Sequence, residues 1–287
     1  MELENKNKNQ ETKIYLDSLT QSSSPSSFPS SLPSSSSSSS TTPDLKIGNT
    51  KIFLMKENYF SIEASKLILD SIYESLRYDI KTKTHRRTNT HINQKQKQKP
   101  NTEKNIYETI EFKAESIMPL TKFLDKSTNK HGTDYNTILH FIGNIGNQIT
   151  FLRNQGYSIP FFSLEDFIVI NNTIFCFMND NKIFKIDKQT LYITIDYPIS
   201  YHKNNSFIPP DIPIGQKDEI DKIPIDIYFS SIYYSLAQIC VYIFVKERII
   251  DQSEFEKIAG PFVYTPLYWC IKRCLDKDES KRILLYV

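Results

Sequence analysis

"GYSIPFFSLEDFIVINNTIFCFMND", residues 156–180, is the stretch whose reading decides the fold. Its apolar runs Phe167–Ile170 and Ile174–Phe177 are separated by Asn171-Asn172-Thr173, which predicts a tight β-hairpin. Two carboxylates, Glu165 and Asp166, precede the first run, and Asp180 follows the second. Acidic groups at strand ends are where many folds keep their chemistry. The stretch is therefore either an active site or the remains of one.

Upstream, residues 135–159 carry Ile138, Phe141, Ile142, Ile145, Ile149 and Leu152 at helical spacing, with Gly156 as a C-terminal stop. Further upstream, "LKIGNTKIFLMK" (45–56) reads as two short strands around Gly48-Asn49. Residues 61–76 put Ile62, Leu69, Ile72 and Leu76 on one helical face with Ser61 as N-cap, and 105–114 alternates like a strand. Downstream, a loop-rich stretch to about residue 225 leads into the apolar run 232–245 and an amphipathic helix at 265–278. Strands first and helices after predict an α+β fold in two lobes, a strand lobe and a mainly helical one.

The run 232–245 is 14 residues long and contains Ser235 and Gln238, whereas a membrane span needs about 20 apolar residues, so it predicts a buried helix in a soluble chain. No basic-then-apolar leader opens the sequence, and the expected location is intracellular, in the cytoplasm. The net charge of +2 gives no global pull toward nucleic acid or a membrane surface. Cys176, Cys240, Cys270 and Cys274 lack a second close pair that would complete a zinc site, and read as buried thiols. The five histidines show no metal-ligand spacing.

Residues 22–40 hold 14 serines and three prolines, too little apolar surface to offset chain entropy, so 1–43 is expected to be a disordered tail. The tract 81–104 carries eight Lys or Arg against one Glu, and reads as a solvated, disordered insertion or as a nucleic-acid patch. It lacks the aromatic residues that stack on bases. The folded domain is thus 44–287, divided into 44–114, interrupted by the insertion, and 115–287.

This order of elements resembles a eukaryotic-type protein kinase domain. "IYETIEFKAESIMPLTKFL" (106–124) resembles the strand-to-hinge passage, with Ile110 as gatekeeper and Glu111–Ala114 as hinge. "SFIPPDI" (206–212) is similar to the Ala-Pro-Glu segment, with Asp211 in the acidic place. "IYYSLAQI" (232–239) resembles the start of the central buried helix, and "CLDKDESKRILL" (274–285) the closing segment with Asp278 and Arg282 in register. Similar reduced kinase-like chains are encoded by large DNA viruses, which would place the protein in a host cytoplasm.

The resemblance implies a scaffold without its chemistry. Gly48 is the only glycine in residues 1–131, so no glycine-rich phosphate loop exists. Aligned on the hairpin, Phe162 stands where the proton-accepting Asp belongs, Leu164 for the phosphate-contacting Lys and Phe167 for the metal-binding Asn. An aromatic ring neither accepts a hydroxyl proton nor holds Mg²⁺. The relic candidates are Lys56 and Glu74, matching the family's ion pair, and Asp180, matching its Asp-Phe-Gly aspartate; otherwise Asp180 is a solvated turn residue. Glu165 and Asp166 are expected to serve capping and loop polarity. Asp211 is expected to pair with Arg282. These readings point to a pseudokinase that binds a protein partner and holds no cofactor or metal. Two alternatives stay open: an unorthodox active protein kinase using Asp180, Asp166 and Lys56, and a nucleic-acid-associated protein using 81–104.

Overall fold

Gly48 and Asn49 reverse the chain between the first two strands. Gly48 takes φ +59°, a left-handed conformation that glycine adopts without steric penalty. Leu45–Ile47 (β1) and Thr50–Leu54 (β2) therefore pair antiparallel as predicted. The computed structural model describes residues 44–55, 58–76, 107–126, 133–199, 205–213, 223–260 and 263–284. The serine-rich segment 1–43, the basic tract 81–104 and Lys56 lie outside the described residues, as does the side chain of Glu74.

Two boundaries differ from expectation. Ser61 does not cap a helix, because Tyr59–Ser65 is a strand (β3), and the helix α1 runs Lys66–Leu76. Residues 59–65 pair over their whole length with Tyr107–Lys113 (β4), and this cross-strand ladder overrides the helical spacing of the side chains. Ser65 stands at the helix start instead, its Oγ accepting from the Ile68 amide at 3.5 Å. The same ladder keeps Glu111, Phe112 and Lys113 in β4, and Ala114 follows the strand. The four strands make one antiparallel sheet in the order β1-β2-β3-β4.

Beyond Ala114, a short strand Ile117–Pro119 (β5) leads to Leu120–Lys126 (α2) and the long helix Tyr135–Asn154 (α3). The Asp134 side chain caps α3 by accepting from the Thr137 amide at 2.8 Å. The helix ends at Asn154 with Gln155 as its C-cap, and Gly156 follows at φ +83°, the stop that the sequence predicts. Tyr157–Ser158 (β6) then pairs with Phe184–Lys185 (β10).

Phe162–Ser163 (β7) enters a single 3-10 turn at Leu164–Asp166 and then the hairpin Phe167–Ile170 (β8) and Ile174–Phe177 (β9). Asn171 and Asn172 carry φ of 52° and 60° at its tip, as the two-strand reading requires. The sheet order is β5-β8-β9, with every residue of β8 and β9 buried. The free edge of β9 is satisfied by α3. The Phe175 amide donates to Asn144 Oδ1 at 3.0 Å and the Phe177 amide to Gln148 Oε1 at 2.8 Å. Gln148 Nε2 in turn donates to Ser71 Oγ on α1 at 3.0 Å, so one amide joins both helices to the hairpin.

The stretch expected to be loop-rich contains short antiparallel pairs. Tyr192–Ile195 (β11) pairs with Ile225–Tyr228 (β13), and Ser206–Phe207 (β12) with β7. Phe161, Phe184, Ile186, Ile193, Ile195 and Ile227 bury a small second cluster there. Ser231–Val245 (α4) is the predicted buried helix. Gln252–Ile258 (α5) is an element the sequence reading omitted, and Pro266–Cys274 (α6) closes the series. The result is a mixed α+β fold of several helices and small antiparallel sheets. No helix among the described residues is long and apolar enough to cross a membrane.

Candidate functional site

The polypeptide between β7 and β10 brings the sequence's candidate residues together. Phe162 and Phe167 are fully buried, with ring centroids 4.9 Å apart. Phe177 lies 5.5 Å from the first ring and 5.9 Å from the second, and Phe141 of α3 lies 5.5 Å from Phe167. Ser235 of α4 fixes the backbone beneath them, accepting from the Phe162 amide at 2.7 Å and donating to the Phe207 carbonyl at 2.6 Å. The positions of Phe162 and Phe167 are thus part of the hydrophobic core.

Asp166 has a larger role than capping and loop polarity. It does close a capping box with Ser163, whose amide donates to Asp166 Oδ2 at 2.7 Å. The same oxygen receives Lys182 Nζ at 2.7 Å, and both side chains are 3% exposed. Asn179 Nδ2 donates to the other oxygen at 2.7 Å. Lys182 Nζ also donates to Ser163 Oγ at 2.8 Å, which exchanges a 2.7 Å hydrogen bond with Ser206 Oγ, and sits 4.5 Å from the centre of the Phe161 ring. A buried ion pair is retained when further hydrogen bonds satisfy its remaining donors and acceptors, and this one has them. Glu165 accepts from the Asn205 side chain beside β12 and takes no part in the cluster.

Asp180 opens the 3-10 turn after β9, as the turn-residue expectation has it, but it is half-buried rather than freely solvated. Its Oδ1 accepts the Asn49 amide of the β1–β2 turn at 2.9 Å. Asn49 Nδ2 donates to Asn181 Oδ1 at 2.6 Å and Thr50 Oγ1 to the Met178 carbonyl at 2.8 Å. Burial raises the Asp180 carboxyl above the usual carboxylate range, against the opposing pull of its hydrogen bonds to Asn49. Asp180 in turn helps to raise the phenols of Tyr107 and Tyr197, though burial is the larger cause for each.

Asp211 and Arg282 meet at 2.8 Å, with side chains 16% and 1% exposed. Ser231 donates to the other Asp211 oxygen, Arg282 Nε donates to the Asp276 carbonyl at 2.9 Å, and the guanidinium lies 4.8 Å from the centre of the Tyr234 ring. The segment after β12 is thereby tied to the start of α4 and to the chain beyond α6. The four cysteines are buried and free, and burial pushes the Cys176 thiol up to about 12. Among the described residues, no group of three or more His, Cys, Asp or Glu is placed to hold a metal ion.

Lys182, Ser163, Ser206 and Asn49 were missed as site residues by the sequence reading. A signal existed for the first. The hairpin register sets Phe167 opposite Phe177, so Asp166 must approach Met178 and the turn after it, and the Met178 amide does donate to the Asp166 carbonyl at 2.8 Å. No protein-family model matches the chain, and the search of curated proteins finds no match either.

Proposed function

We propose that the chain is a catalytically inactive protein-kinase-like domain, a pseudokinase, that works as a protein-interaction scaffold. In this reading, residues 44–114 are a reduced strand lobe and 115–287 a helical lobe, similar to kinase-like proteins of large DNA viruses. The chain order supports it: an antiparallel sheet interrupted by α1, a short α2, the long α3, then the strand, turn and hairpin around Asp166. So does the tie between Asp211 and Arg282, the two residues the resemblance assigns to each other.

The observation that carries the inactive half is the filling of the centre. Phe162 and Phe167 occupy core positions with 0% exposure, and the Asp166 carboxylate beside them already holds the ammonium of Lys182. Phosphoryl transfer is run almost entirely by positioning and by charge held against the phosphates. A buried carboxylate that already accepts from an internal cation, a backbone amide and a side-chain amide is committed to the protein rather than to a metal–nucleotide. The scaffold half follows by elimination of chemistry and by analogy of fold, with a protein as the partner.

Incubation of the purified chain with γ-labelled ATP, Mg²⁺ and general acceptor proteins should leave no label on any of them. Label transfer abolished by Asp180→Ala would replace the proposal with the active-kinase alternative.

A further inference from the structure

Three hydrogen bonds hold the β1–β2 turn to the turn after β9. Two of them, from Asn49 to Asp180 and Asn181, are solvent-exposed, and the third, from Thr50 to the Met178 carbonyl, is buried. The approach is close enough to require a residue without a side chain. A β-carbon built on Gly48 would lie 2.5 Å from Asn179 Oδ1 and 2.9 Å from Asp180 Oδ1. The seat also carries a cost. Asn179 Oδ1 is buried beneath Gly48 with no hydrogen-bond donor, and the Asp180 carboxyl is partly stripped of water. An unsatisfied buried acceptor opposes a contact about as strongly as one or two net hydrogen bonds favour it.

We propose that the Gly48–Asn49 turn is a strap with two positions, seated on residues 178–181 and lifted from them, and that seating shuts Asn179 and Asp180 away from outside ligands. Lifting breaks the three bonds and returns both side-chain oxygens to water, so the net cost is that of one or two hydrogen bonds and a sub-global opening is accessible. The seated turn competes with any donor-bearing ligand for those oxygens. The strap needs no kinase ancestry and stands or falls separately from the inactive-domain reading.

Amide hydrogen exchange on the full chain, read by mass spectrometry, tests it. In the wild type, peptides covering 45–55 and 177–183 should exchange faster than α4 and with matching rates. Asn49→Ala combined with Thr50→Val should accelerate both peptides together by about tenfold, the factor expected from losing one or two net hydrogen bonds, and leave α4 unchanged. Gly48→Ala, which pushes a methyl group toward Asn179, should do the same through a different atom. Independent responses of the two peptides would overturn the strap. So would wild-type exchange in both as slow as in α4, or acceleration of α4 by the same factor as the turn. If the double variant does not fold, the wild-type rates and Gly48→Ala decide.

Discussion

Asp166 and Asp180 flank the same hairpin, one before β8 and one after β9, and the structure treats them in opposite ways. Asp166 is 2% exposed and receives an ammonium, a backbone amide and a side-chain amide. Asp180 is half-buried, and its carboxyl is raised above its usual range by loss of water. A charge is stable in the interior where donors surround it, and strained where a single turn has closed over it. The difference teaches that the carboxylate before the hairpin is a structural group with its donors in place, while the one after it is poorly accommodated.

The comparison breaks most readily at Lys182. Lys182→Met leaves the Asp166 carboxylate buried without its cation and should destabilise the fold by about 3–5 kcal/mol in denaturant unfolding. Adding Asp166→Asn should recover most of that loss, because the pair's absence is better tolerated than half of it. A loss within experimental error for Lys182→Met would show that the ion pair does not hold the centre.

The second test moves to the other buried pair. Arg282→Ala strands Asp211, which keeps Ser231 as a donor and is 16% exposed, so the loss should be at the lower end of that range, about 3 kcal/mol. A variant as stable as wild type would mean that this pair does not anchor the segment after β12 to the end of the chain.

Asp180→Asn should act in the opposite direction. Because the folded-state carboxyl is raised, folding is favoured by protonation there; its contribution is present at acid pH and lost as pH rises through the folded value. The asparagine variant keeps an acceptor for the Asn49 amide and removes the ionisation, so at pH 7 it should melt slightly above wild type. The gap should close as the pH falls below the ordinary aspartate value of about 3.9. A variant that melts below wild type at pH 7 would mean that the ionised group is needed by the strap.

The parts of the fold set by local chemistry were legible. Gly48-Asn49, Asn171-Asn172 and Gly156 mark turns and a helix end because few residues accept a positive φ there, and all three behave accordingly. The run 232–245 is apolar on every side, and α4 is buried accordingly. Residues 61–65 were misread because helical spacing and strand alternation coincide over so short a run, and only the ladder with β4 decides between them. The candidate site was legible as an absence of polar residues at Phe162 and Phe167. Its positive content was legible only through the hairpin register: Lys182 looks like one more surface lysine until that register brings its turn back over Asp166. Asn144 and Gln148, which fall outside the apolar spacing of α3, face the bare edge of β9.

In the proposed inactive-domain reading, aromatic rings and an internal ammonium fill the centre and leave no room for a nucleotide and its metal. Titration of the folded chain with Mg²⁺-ATP, followed by thermal unfolding, tests it most directly. The midpoint should stay unchanged up to millimolar nucleotide. A saturable rise, reaching about 2.7 kcal/mol of added stability at about one hundred times the dissociation constant, would contradict it.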